Sequence, residues 1–129
     1  MRAVATFNLD SFDQKPAHFE EGGVSHGAMR IEKTFHGDIE GHGSVEMLAA
    51  RGEGGDGYVA LERITGSVHG RVGGFGVLHV ATSEGDERWA RWVISPGSGT
   101  GDLVGISGEG RIDADADGRH TFELDYELG

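Results

Sequence analysis

The stretch that decides the fold runs from Tyr58 to Ser83 and reads YVALERITGSVHGRVGGFGVLHVATS. Apolar and polar residues alternate in both halves, and glycines separate the two halves. Alternation with a period of two is typical of a half-buried strand. A short glycine-containing break between two such runs is typical of a β-hairpin. The stretch therefore predicts two neighbouring antiparallel strands.

The same alternation recurs along the rest of the chain. Eight strand-like runs lie near residues 3–9, 29–35, 39–47, 58–68, 75–83, 88–95, 103–113 and 120–128. Glycine and acidic residues separate them, and this spacing is typical of sandwiches and barrels. Segment 14–24 is predicted to be an irregular loop, and no second domain is visible.

Glycine is unusually frequent, with 24 in 129 residues, where average usage predicts about 9. The segments Ile39–Gly43, Ile64–Val68 and Ile106–Gly110 share an apolar-x-Gly-x-Gly/apolar pattern. Small residues on one face of a strand permit sharp coiling or the close approach of another backbone. Closing the sheet into a barrel also removes its edge strands, which would otherwise invite aggregation. We therefore predict an all-β chain with one domain, residues 1–129, folded as an eight-stranded antiparallel β-barrel; an open sandwich is the alternative.

Charge and composition exclude several classes of function. The net charge is −11, which argues against nucleic acid and anionic membranes as partners. The chain has no cysteine, so disulfides and thiol catalysis are excluded. No signal peptide or apolar span long enough for a membrane is visible. We expect a cytoplasmic protein.

The segment from Pro96 to Gly110 is the most distinctive in the chain. Its residues Gly99-Thr-Gly-Asp-Leu103, followed by Gly108, resemble a glycine motif of allene oxide cyclases and dirigent proteins. From Phe7 to Tyr126 the chain is similar to a bacterial family of uncharacterised domains grouped with allene oxide cyclase-like barrels. The resemblance implies an eight-stranded antiparallel barrel, often with an apolar or mixed cavity. It implies no activity and carries no catalytic residue across, and it extends over Phe35–Gly43, Leu61–Gly66, Gly74-Phe75 and His79.

One pair of residues suggests chemistry. If Gly70-Arg71 forms a two-residue turn, Glu62 stands directly opposite His79 on one face of the hairpin, with Cβ atoms about 4.5–5.5 Å apart. If this face lines the lumen, the pair lies in an apolar pocket, and such a site can tune pKa values for proton transfer. Glu62 and His79 are therefore the catalytic candidates. The alternative is a surface pair, or a core pair with its hydrogen bonds satisfied.

Apolar residues on the same faces are candidates for binding a ligand. They are Tyr58, Ile64, Phe75, Val77 and Trp92. Trp89 and Trp92 are three residues apart, so on a strand they point to opposite faces. Apolar content on both faces of several strands also predicts a homo-oligomer.

No metal or cofactor is predicted. Asp113–Gly118 matches the first half of an EF-hand loop, but the twelfth position is Leu124 and the flanks read as strands. We interpret it as a solvated turn. The seven histidines show no metal-ligand spacing, and Gly97–Gly101 lacks the ending of a phosphate-binding loop.

Three functions remain open from the sequence. The first is a barrel that binds a small apolar metabolite in its lumen. The second is an isomerase- or cyclase-like enzyme in which Glu62 and His79 transfer a proton. The third is a structural or interaction barrel with a filled interior. The state of the lumen distinguishes the first two from the third.

Overall fold

The structure is a computed structural model that describes all residues, 1–129. It contains ten strands and no helix. The strands are β1 Arg2–Gln14, β2 Phe19–Glu21, β3 Val24–Gly37, β4 Ile39–Gly52, β5 Gly55–Val68, β6 Arg71–Glu84, β7 Glu87–Ile94, β8 Thr100–Gly101, β9 Ile106–Ala114 and β10 His120–Leu128.

Eight of these strands close into an antiparallel barrel. The order runs β1-β10-β9-β7-β6-β5-β4-β3, and β1 also pairs with β3, which closes the cylinder. The two short strands are additions, since β2 pairs with the edge of β3 and β8 pairs with β6. The predicted all-β class and eight-stranded barrel are confirmed. The chain forms no helix with the length and apolar character that a bilayer crossing requires.

Several strand limits differ from the predicted ones. β1 continues to Gln14 because a bulge between Leu9 and Ser11 re-aligns it with β3. The segment predicted to be an irregular loop contains the short strand β2. β9 begins at Ile106, because Leu103 lies in a turn whose carbonyl accepts the Ile106 N–H at 3.1 Å. Leu103 is nevertheless buried, so its apolar character reflects core packing and not strand pairing.

The glycine repeat marks places where two backbones meet. The central glycines Gly41, Gly66 and Gly108 have φ of 150°, 152° and 142°. Gly41 and Gly66 are register partners across β4 and β5, and a Cβ on Gly41 would lie 2.8 Å from the Gly66 Cα. Any other residue would push the strands apart. The expected close approach is therefore confirmed at this pair.

The two ends of the barrel differ in packing. A cluster of 15 buried residues, including Phe35, Phe75 and Leu124, fills the end that carries the turn after Val68; we call it the closed end. At the other end, the open end, Leu9 and Phe12 are the register partners of the buried Lys33 and Ile31, so they face inward. They remain 44% and 59% exposed. A smaller buried cluster lies on the β3–β5 side of the lumen and consists of Met29, Ile31, Val45 and Ala60.

Candidate functional site

The hairpin turn lies one residue earlier than the sequence predicts. His69 and Gly70 form it, with φ of 48° and 80°, and two successive positive φ values define a type I′ turn. Glu62 therefore pairs with Val77, and His79 pairs with Ala60. The prediction that Glu62 and His79 stand directly opposite is wrong. The observed partner of each residue lies two residues away from the predicted partner. A shift of two keeps every side chain on the same face of the sheet, so Glu62 and His79 both still point inward and become diagonal neighbours.

Glu62 and His79 still meet inside the barrel. They are 2% and 3% exposed, and the His79 Nε2 lies 3.0 Å from the Glu62 Oε1. The direction of this contact falls short of good hydrogen-bond geometry, which leaves Nε2 without a well-aligned partner. The His79 ring stands edge-on to the Trp92 ring, with centroids 6.0 Å apart.

A third charged residue, Lys33, completes the cluster. Its Nζ donates a hydrogen bond to the Glu62 Oε1 at 3.2 Å and lies 4.5 Å from the centroid of the Phe7 ring. Lys33 is only 5% exposed. Alternation within the strand-like run 29–35 puts Lys33 on one face with Met29, Ile31 and Phe35, but Lys33 was not among the predicted site residues. The sequence does contain a feature that predicts a role for Lys33, because a lysine in an otherwise apolar face requires a buried partner.

The cluster holds Glu62 in its charged form. Burial raises the pKa of this carboxyl, but the contact with His79 and the positive charge of Lys33 outweigh burial and place the pKa below its usual value. Burial raises the pKa of Tyr58, and the negative charge of Glu62 adds to that rise. The polar centre of the lumen thus contains a carboxylate beside a neutral phenol.

Besides the His79 Nε2, two more buried polar atoms in this region have no hydrogen-bond partner. They are the Glu62 Oε2, an acceptor, and the Trp92 Nε1, a donor. The Tyr58 hydroxyl lies beside the Trp92 indole without completing a well-aligned hydrogen bond. Gly43 provides the space for the carboxylate, since a Cβ there would overlap Oε2 and lie 2.8 Å from the Phe35 Cε2.

The predicted ligand-binding residues fall into two layers. Tyr58 and Trp92 are half-buried at the margins of the two core clusters. Ile64, Phe75 and Val77 face the lumen but are buried within the packed core of the closed end. They form the floor beneath the polar cluster and not the wall of an open cavity. None of the principal pockets is lined by Glu62 or His79.

The acidic segment near residue 115 is a turn in which the Asp115 side chain accepts hydrogen bonds from the backbone of the same turn. The Asp115 Oδ1 accepts the N–H groups of Asp117 and Arg119 at 3.0 and 2.8 Å. This is the behaviour of an Asx turn. No group of three or more His, Asp or Glu side chains is arranged to hold a metal ion.

Fold and site together define a small closed antiparallel barrel with one packed end and a buried Lys–Glu–His cluster. The chain belongs to the family DUF3224, described as "Protein of unknown function", whose profile matches residues 3–126. A crystal structure of a DUF3224 protein of unknown function from Shewanella oneidensis MR-1 is similar, with 30% identity and a TM-score of 0.91. That match covers 100% of this chain and 98% of the other chain.

A search among curated proteins finds no match. The family match confirms the expected domain of unknown function. Neither it nor the Shewanella structure connects the chain to allene oxide cyclases, so that part of the resemblance stays a prediction.

Proposed function

We propose that the protein binds a small, mainly apolar molecule that carries one uncharged oxygen group. The ligand enters from the open end, and its oxygen reaches the polar cluster. The observation that carries this proposal is the pair of buried atoms without partners, the Glu62 Oε2 and the Trp92 Nε1. Leaving a buried donor or acceptor unpaired costs about 1–3 kcal/mol. A ligand hydroxyl that donates to Oε2, or that accepts from Nε1, removes the penalty at that atom.

The charge of the cluster sets the kind of oxygen group. Lys33 already neutralises Glu62 through Oε1 at 3.2 Å. A ligand carboxylate would add a second negative charge in a buried site beside Glu62, which is unfavourable. A hydroxyl brings no charge and matches one acceptor and one donor. We therefore favour alcohols or phenols over carboxylic acids.

The apolar part of the ligand fits the exposed inward positions. Leu9 and Phe12 face inward at the open end and remain 44% and 59% exposed in the free chain. Apolar area removed from water contributes about 25 cal/mol per Å². A hydrocarbon or aromatic body placed against these side chains therefore supplies the affinity, and the polar cluster supplies the selectivity.

An isomerase-like enzyme is the second candidate. The 3.0 Å contact between the Glu62 carboxylate and the His79 imidazole favours it, because such a pair can accept and return a proton. Both groups are almost fully buried, so a substrate, like the ligand of the first candidate function, must first displace the packing above them. Glu62→Gln separates the two functions: an enzyme loses turnover and keeps binding, whereas a binding protein changes only in affinity.

Binding is tested with 1-naphthol, 1-methylnaphthalene and 1-naphthoate as probes, followed through the tryptophan indole N–H signals in NMR. The chain has two tryptophans, and Trp92→Phe assigns the buried one. We expect 1-naphthol to shift the Trp92 signal and to bind about tenfold more tightly than the other two probes, a ratio set by one charge-assisted hydrogen bond.

Trp89 provides the matched control, because it is 54% exposed and pairs with Thr82 on the outer face. Trp92→Phe should weaken 1-naphthol about fivefold or more, as the loss of one neutral hydrogen bond implies, and Trp89→Phe should change nothing. Equal affinity for all three probes, or equal effects of the two substitutions, would refute the proposed orientation. Failure of every probe to shift Trp92 would refute binding at this site and leave the filled structural barrel.

A further inference from the structure

Lys33 is the member of the buried cluster to which the proposed function gives no chemical step. The chain has two lysines. Lys15 is exposed, whereas the Lys33 side chain lies inside the barrel with 7% of its surface exposed. Replacing a buried ion pair by apolar side chains of similar volume is often neutral or stabilising, so stability alone does not account for a lysine here. A primary amine in an apolar lumen has one characteristic reaction, which is condensation with a carbonyl group.

We propose that Lys33 forms a protonated imine with a small apolar aldehyde in the lumen. The inference rests on the proposed function, in which an apolar molecule with one uncharged oxygen group enters from the open end. It adds a chemical class for that molecule and a covalent step. An aldehyde carries no charge, so it avoids the unfavourable burial of a second anion beside Glu62 in the same way as an alcohol does.

Lys33 lies next to the part of the lumen that is still exposed. Its register partner on β1 is Leu9, which faces inward and is 44% exposed, and its register partner on β4 is Gly43, which has no side chain. Neighbouring strands are about 5 Å apart. A molecule that displaces the packing above the cluster and lies against Leu9 therefore also contacts the Lys33 side chain.

The surroundings of the Lys33 nitrogen suit a protonated imine as well as they suit an ammonium. Nζ donates a hydrogen bond to the Glu62 Oε1 at 3.2 Å and lies 4.5 Å from the centroid of the Phe7 ring. A carboxylate and an aromatic face both stabilise a cation. A protonated imine has the same single positive charge on the same nitrogen. The buried carboxylate therefore keeps its counter-charge when the amine condenses.

Glu62 is placed to carry the protons that the condensation moves. Its Oε1 takes a proton from Nζ, which frees the lone pair that attacks the carbonyl carbon. The carbonyl oxygen receives that proton and becomes a hydroxyl, for which the unpaired Glu62 Oε2 is an acceptor. Glu62 then takes a second proton from the nitrogen and returns it to the hydroxyl, which leaves as water while the C=N bond forms. One ammonium and one aldehyde thus give one protonated imine and one water, with the total charge unchanged.

Reductive trapping tests the proposal, because sodium cyanoborohydride converts an imine into a stable amine. The folded wild type is treated with 1-naphthaldehyde and this reagent, and peptide mass spectrometry locates the adducts. Lys15 is the matched control within the same chain, since its Nζ also pairs with a carboxylate, the Asp13 Oδ2 at 2.6 Å, but its side chain is 55% exposed. Exposure alone would make Lys15 react faster. We expect Lys33 to react at least about tenfold faster than Lys15, because binding raises the effective concentration of the aldehyde beside Nζ.

A polar aldehyde should reverse this order. Glyoxylate carries a carboxylate and has no apolar body, so it should label Lys15 and leave Lys33 unreacted. Lys15→Met should leave the labelling of Lys33 by 1-naphthaldehyde unchanged. Glu62→Gln should slow the labelling of Lys33 about 100-fold, as the loss of a general acid–base group implies, and should leave that of Lys15 unchanged. The comparison of the two lysines within the wild type decides the proposal even if a variant fails to fold.

The results separate this inference from the proposed function. If 1-naphthol shifts the Trp92 signal but 1-naphthaldehyde labels Lys33 no faster than Lys15, imine formation is refuted and binding stands. If 1-naphthaldehyde labels Lys33 selectively and 1-naphthol leaves Trp92 unchanged, the imine stands and the proposed orientation of the alcohol is wrong. If neither probe acts in the lumen, both proposals fail. Labelling of Lys33 by glyoxylate at the rate of 1-naphthaldehyde would also overturn the inference, because the lumen would then not select an apolar aldehyde.

Discussion

Glu62→Gln should destabilise the fold even though it only replaces one carboxylate oxygen of the side chain by an amide nitrogen. The substitution removes the only full negative charge beside Lys33, whose side chain is 7% exposed. The remaining interactions of the ammonium are with a neutral amide and with the Phe7 ring at 4.5 Å. A buried ammonium without a counter-charge is strongly unfavourable.

The size of the effect follows from the burial of the pair. Breaking a buried ion pair by removing one partner costs about 3–5 kcal/mol. The glutamine Oε1 can still accept a hydrogen bond from Lys33, so we place the loss at the lower end, about 3 kcal/mol. A chain of this length loses about 3–5 °C of Tm per kcal/mol, and the expected fall is therefore about 10–15 °C.

The assay is urea unfolding of four proteins: the wild type, Glu62→Gln, Lys33→Met and the double variant. Lys33→Met leaves the buried carboxylate with the His79 contact alone and should also destabilise the fold. The double variant removes both charges, so it should be more stable than the sum of the single losses by at least about 1.5 kcal/mol, within the usual coupling range for residues in contact. Unchanged m-values would show that the denatured state is not responsible.

Two results would refute this reasoning. If Glu62→Gln stays within about 1 kcal/mol of the wild type, the charge is not buried as the structure has it. If the two losses add within about 0.5 kcal/mol, Lys33 and Glu62 do not interact energetically.

Two further predictions concern the same cluster. Because the folded-state pKa of Glu62 is below its ordinary value of 4.5, its stabilising effect is complete above that value and is lost as the pH falls through the lower folded-state pKa. The stability difference between wild type and Glu62→Gln, measured by urea unfolding, should therefore shrink between about pH 6 and about pH 3; a difference that grows would contradict the sign of the shift. Gly43→Ala should lower the unfolding free energy by about 1–3 kcal/mol, because its Cβ overlaps Glu62 and Phe35. Gly27→Ala on the neighbouring strand is the control, since its Cβ would meet only the Ala17 Cα at 3.8 Å, and equal stability of both variants would contradict the proposed role of Gly43.

The fold was predictable because it follows mainly from two features of the local sequence, the alternation of apolar residues and the positions of the glycines. Alternation identifies the strands, and glycines such as Gly41 and Gly66 mark where strands approach too closely for a side chain. The presence of Glu62 and His79 on one inner face was also predictable, because side chains point to alternate faces of a sheet at successive positions along a strand. A shift of two positions leaves that face unchanged.

The exact pairing was not predictable, because it depends on a conformation that the residue type does not favour. His69 adopts a φ of 48°, although glycine, asparagine and aspartate are the usual residues in such a turn. Its ring lies next to Tyr126, with Nδ1 2.5 Å from the hydroxyl, a contact with a residue 57 positions away. Tertiary contact of this kind fixes where the turn falls, and no pattern within the hairpin contains that information.

The division of the lumen into a packed and an open end was also beyond the sequence. Leu9 continues the alternating run of residues 3–9, yet Leu9 and Phe12 are both exposed because the neighbouring strand β10 begins at His120, the partner of Phe7, and does not extend beside them. Strand length is set by where each turn falls, and several turns differ from the predicted positions. Ile64 and Phe75 were therefore assigned to a binding wall when they form the packed floor.

The lumen site and the exposed apolar side chains of the outer surface lie on opposite sides of the same two strands, β5 and β6. Leu61 and Glu62 are neighbours on β5, and Leu78 and His79 are neighbours on β6, but within each pair one side chain points outward and the other inward. A substitution on one face therefore leaves the chemistry of the other face in place. Val80→Glu on the outer surface should therefore leave 1-naphthol binding unchanged. A loss of binding in this variant would show that the outer surface supports the shape of the lumen site.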